Sequence, residues 1–87
     1  MTIPELPNED DTRLRLQLIT LAESAGIEPC ECSVVTYAGE VPIDKCTLRI
    51  PGGAATGTFE QLVGVLLAST SLAEFKRLCR MARILDN

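Results

Sequence analysis

The sequence predicts an α+β fold: one small domain in the order α-β-β-α-α, its helices packed on a small antiparallel β-hairpin or sheet. Three observations predict it. Apolar residues recur at helical spacing in a first segment, 12–25, and again in two later ones. Between them lie two stretches with the β-branched and alternating character of strands. The whole chain is 87 residues, too short for a second hydrophobic core. Residues 1–10 read as a flexible acidic arm and 11–87 as the single domain.

The first helix spans 12–25, with Thr12 or Asp11 as its cap and acids at its positive end. Leu14, Leu18, Leu21, Ala22 and Ala25 form its buried stripe. Gly26 fits a left-handed stop, Ile27 the hydrophobic contact after it, and Pro29 forbids continuation. Residues 30–37 then read as a strand, and Ala38–Glu40 as a turn. In 45–50, Cys46, Leu48 and Ile50 share one face while Lys45, Thr47 and Arg49 take the other, the pattern of a half-buried antiparallel strand. Residues 41–44 extend it only where Pro42 meets an edge or bulge.

The stretch 51–57 reads as a Gly/Ala/Thr connection. Thr58 with Gln61 forms a capping box that opens a helix to about Ala68. Phe59, Leu62, Val63, Val65, Leu66 and Leu67 cover most of its circumference, predicting a largely buried helix that a neighbour approaches at Gly64 and Ala68. Ser71 with Glu74 forms a second capping box. The last helix is expected to run through Leu85, on a stripe of Leu72, Phe75, Leu78, Cys79, Ala82 and Leu85.

Charge is unevenly divided. Residues 1–44 carry −7 and residues 45–87 carry +3, which together give the net −4. Such asymmetry bears on association and steering rather than on fold. The chain has no histidine and no tryptophan. The usual general base and the commonest metal ligand are therefore missing together, as are most stacking platforms for single-stranded nucleic acid. No apolar run approaches a membrane span, and the opening residues do not resemble a secretory signal, so the expected location is cytoplasmic.

Each chemical motif has a plainer structural alternative. Cys30, Cys32, Cys46 and Cys79 are weak metal candidates, because four thiolates suit zinc or an iron–sulfur cluster but the paired C-x-x-C spacing is absent. All four occupy positions where the apolar pattern already calls for a small hydrophobe, so no metal and no cofactor is expected. The segment Gly52–Thr58 resembles a phosphate loop in its spacing but lacks the lysine. Lys76, Arg77, Arg80 and Arg83 form a basic arc on the last helix, most simply a solvated helix face, and otherwise fit for an acidic partner protein ahead of the phosphates of DNA in a helix-turn-helix layout. Leu16, Ile19, Met81 and Ile84 lie off the core stripes and point either to self-association, a homodimer being the simplest form, or equally to burial in the same small core with both helices sandwiched.

No catalytic constellation is legible, and the expected class is non-enzymatic. The reading that follows is a small acidic binding protein that docks on a larger protein or ribonucleoprotein complex and inhibits or regulates it. Phage-encoded inhibitors of host defence, anti-CRISPR proteins among them, share this size and composition, which is an analogy and not a site argument. Glu9, Asp10, Asp11, Glu23, Glu28 and Glu31 are the acidic docking candidates. The alternatives are a small helix-turn-helix transcriptional regulator and a cysteine-ligated zinc or iron–sulfur protein. No membrane partner is expected.

Overall fold

The computed structural model describes residues 9–28 and 31–86. In chain order the elements are α1 (Glu9–Ser24), β1 (Glu31–Ala38), β2 (Val41–Ile50), β3 (Gly53–Gly57), α2 (Phe59–Ala68), α3 (Leu72–Met81) and β4 (Leu85–Asp86). The strands form one antiparallel sheet in the order β1-β2-β3-β4. Helix α1 packs on β1 and α2; α2 packs on β2, β3 and α3; α3 reaches β4. One layer of helices thus covers one face of the sheet, and the α+β class read from the sequence holds. No helix among the described residues is long and apolar enough to cross a membrane.

The first half follows the sequence closely. Helix α1 ends in a Schellman motif: the Gly26 N–H donates to the Glu23 carbonyl at 3.0 Å, and the Ile27 N–H to Ala22 at 2.9 Å. Gly26 holds φ +80°, and the chain's reversal there drives Ile27 into the core, where it is fully buried. In β2, Cys46, Leu48 and Ile50 are buried while Lys45 and Arg49 are exposed, as the alternation requires. Pro42 is tolerated because β3 pairs with β2 only from Cys46 onward, leaving the Pro42 end with a neighbour on one side alone. The register of β1 shifts between Val35 and Tyr37, opposite that end.

The second half corrects four expectations. Residues 53–57 are a strand and not a loose connection. The pair Pro51–Gly52, with Gly52 at φ +84°, makes a two-residue turn that folds β3 back on β2. Small residues fit there because the layers approach closely: a Cβ on Gly57 would lie 2.7 Å from Gln61 Oε1 and 3.3 Å from Ile84 Cγ2. The last helix stops at Met81 instead of running to Leu85. Arg83 adopts φ +59°, and the Ile84 N–H donates back to Cys79 at 2.9 Å, a second Schellman motif without glycine. The chain then returns along β3, where the Thr56 N–H donates to the Ile84 carbonyl at 2.8 Å.

The helix caps divide. Thr58 and Gln61 form the full capping box on α2. Ser71 caps α3 through the Glu74 N–H, but the Glu74 carboxylate accepts from Thr70 and not from Ser71. A long-range cap adds to α2: Asp44 on β2 accepts the Phe59 N–H at 3.1 Å. Helix α2 is also less buried than its composition suggests. Leu62 and Leu66 face the core, while Gly64 looks into open space and Ala68 is exposed.

Candidate docking surfaces

Buried groups come first, because they decide what chemistry remains. Cys46 and Cys79 are fully buried, and Cys32 is partly so. Cys32 and Cys46 are diagonal neighbours on the inner face of the β1–β2 pair, since Cys32 faces Leu48 and Val34 faces Cys46. Burial, followed by the nearby acid Asp44, pushes the Cys46 thiol up to about 11. Burial alone raises Cys79 to about 11. Both are held as neutral thiols, the opposite of what a nucleophile or a thiolate ligand needs. Cys30 lies outside the described residues. Among those described, no group of three or more Cys, Asp or Glu is placed to hold a metal ion.

The acidic candidates differ in their surroundings. Asp11 is partly buried and accepts the Thr36 hydroxyl at 2.6 Å, fastening α1 to the irregular part of β1. Glu31 stands directly across from Arg49 on the neighbouring strand, a register that offsets its charge locally. Glu23 and Glu28 are exposed, one on α1 and one beyond it. Glu9 and Asp10 open α1 with their backbone, and their side chains are outside the described set.

The basic candidates are brought together more closely. Arg77 and Arg80 are exposed on α3, with Met81 beside them at 71% exposure. Arg83 follows at the left-handed position that ends the helix, also exposed. Lys76 departs from the group: it is half-buried, and its ammonium lies over the Pro51–Gly52 turn, 2.7 Å from where a Gly52 Cβ would stand. Basic side chains near the end of α3 also complement the helix dipole.

The hydrophobes set aside for self-association separate as well. Ile84 is 8% exposed and belongs to the core, because the turn at Arg83 carries it inward. It is therefore withdrawn from any exposed contact surface. Ile19 is half-buried, whereas Leu16 and Met81 are open to solvent. Leu67 is 69% exposed on α2; sequence reading counted it toward a buried helix. Beside Leu16 the two helices α1 and α2 leave an open groove of about 610 Å³. Leu16, Gln17, Thr20 and Leu21 form one wall and Phe59 with Val63 the other. Its only advance signal was the excess of apolar positions on α2. The chain matches no protein-family model, and neither a curated protein nor a solved structure shows similarity to it.

Proposed function

We propose that this is a non-enzymatic binding protein that docks on a larger macromolecular partner and regulates or inhibits it, with the basic face of α3 as its docking surface. The observation that carries the reading is Arg83. A non-glycine residue at φ +59° costs about 1–2 kcal/mol relative to ordinary helical backbone. The chain uses glycine at the equivalent position after α1, where Gly26 holds φ +80°. An arginine kept under strain beside exposed Arg77, Arg80 and Met81 is a side chain kept for what it contacts. The partner surface that fits is acidic with an apolar centre, because a polarizable Met81 suits a protein and adds nothing to phosphate binding.

This reading moves the docking surface away from the acids favoured by composition alone. The test is affinity capture from the native host with three baits: the wild type, Arg77→Glu/Arg80→Glu/Arg83→Glu, and Glu23→Lys/Glu28→Lys/Glu31→Lys. Loss of the captured partner only with the arginine reversals supports α3. Loss only with the acid reversals would reverse the assignment. A helix-turn-helix regulator is the second reading, favoured by the short Ser69–Ser71 connection between α2 and α3. Salt-sensitive binding of duplex DNA by the wild type, lost in the arginine triple variant, would select it.

A further inference from the structure

Strand β1 is an open edge of the sheet. It pairs with β2 along Glu31–Ala38, and among the described residues no strand pairs with its other side. The opposite edge, β4, is only two residues long. An edge of eight residues presents a row of main-chain N–H and C=O groups, the chemistry that an extended chain satisfies. Such edges are commonly guarded by lysine or proline, and Glu31–Ala38 contains neither. The register shift between Val35 and Tyr37 interrupts the strand, which leaves Glu31–Val35 as its regular part. Helix α1 packs on β1 without closing this end. A cleft of about 340 Å³ lies between Thr12 and Arg15 of α1 and Ser33 and Val34 of β1. Arg15 and Ser33 are exposed, and Arg15 makes no ion pair or hydrogen bond among the described residues. Asp11, which also lines the cleft, is turned to the strand and accepts the Thr36 hydroxyl at 2.6 Å.

We propose that Glu31–Val35 binds an extended peptide segment of another protein as an added strand, with Arg15 taking an acidic side chain of that segment. Main-chain pairing along β1 supplies the affinity, and the side chains that alternate toward the cleft supply the choice. An acid at the cleft position gains a charge-assisted hydrogen bond from the Arg15 guanidinium, whereas a base there is repelled. A second copy of this chain fits less well. Pairing two β1 strands antiparallel about Ser33 brings Arg15 of both copies to one two-fold axis, because Arg15 and Ser33 line the same cleft. The site stands apart from the basic face of α3, which reaches β4 at the far edge of the sheet. It does not depend on what α3 contacts.

The test is selection of a linear random-peptide display library on the wild type. The best peptide is then made synthetically and titrated into isotope-labelled protein, with the backbone amides read by NMR. Selected peptides are expected to be rich in β-branched residues, to carry Asp or Glu, and to shift the amides of Glu31–Val35 first. Arg15→Glu changes an exposed side chain, should leave the circular dichroism melt unchanged, and is expected to weaken binding about tenfold. Replacing the peptide's acid with lysine should recover binding to that variant. Peptide N-methylated at alternate residues in the phase facing β1 should not bind, while the opposite phase binds as before. Failure to select any peptide overturns the proposal, as do shifts centred on the α1–α2 groove or α3, or equal binding by the two methylated phases. Peptides that bind β1 but ignore Arg15→Glu in the folded variant overturn the role of Arg15. A wild type that sediments as a dimer, with the amides of Glu31–Val35 protected from exchange, gives the edge to a second copy and overturns the proposal as well.

Discussion

Alkali offers a sharp test of the buried thiols. Cys46 and Cys79 ionise in the folded chain near 11, against 9.0 for an unburied thiol. A folded-state value above the unfolded one means that the native state keeps its protons longer. The stabilising contribution is therefore complete below pH 9 and is lost as pH rises from there through about 11. At pH 10 the loss is about 1.4 kcal/mol per thiol, or about 3 kcal/mol for the pair. Against a typical total of about 5–15 kcal/mol for a small domain, that is a large fraction. The assay is urea unfolding under reductant at pH 7.5, 9 and 10, comparing the wild type with Cys46→Val/Cys79→Val. The wild-type midpoint should fall steeply above pH 9, and the double variant should lose much of that dependence. Equal slopes in the two proteins would refute the reasoning, as would rapid native-state alkylation of either thiol at pH 7.5.

Two further substitutions probe the frame that carries the surfaces. Gly26→Ala places a side chain at φ +80° and should cost about 1 kcal/mol, read from the urea midpoint, although a Cβ there meets nothing within 4 Å. A neutral result would mean that the Schellman stop on α1 relaxes without strain. Phe75→Ala empties a fully buried site and should cost about 3–5 kcal/mol, enough to lower the thermal midpoint by tens of degrees. A shift of only a few degrees would show that the core collapses around α3.

Elements whose own composition sets their period were legible in the sequence. Helix α1, with its stripe through Leu18 and Ala22 and its stop at Gly26, is one; the alternating strand β2 is another. Strand β3 was not legible, because GAATG carries no β signature apart from one threonine. Its state comes from pairing with β2 across Pro51–Gly52 and from the need for small residues beneath Gln61 and Ile84. Strand β4 was hidden by the same kind of long-range effect. The helical period continues smoothly from Leu72 to Leu85, and only the left-handed turn at Arg83 ends it early.

The candidate sites show the same division. Residue types and charge named Arg77, Arg80, Arg83 and Leu16 correctly as off-core positions, and the structure leaves all four exposed. Ile84 was misplaced because its helical phase ceased to apply beyond Met81. Asp44 lies in the stretch 41–44, where the sequence offers only a strand extension, and its service as a cap on α2 depends on a strand–helix contact that no local pattern records. Leu67 was absorbed into an expected core because α2 is apolar on both sides, and helix composition alone does not say which side a small sheet can cover.

In the proposed function Arg83 is retained for a partner at the expense of the fold. Arg83→Gly tests it most directly when stability and partner capture are measured on the same preparation. Relief of the left-handed backbone, less the extra freedom of glycine in the unfolded chain, should raise stability by about 0.5–1 kcal/mol. Capture of the partner that wild type retains should fall at the same time. A variant that is less stable, or one that keeps wild-type capture, would mean that Arg83 serves the fold and not a partner.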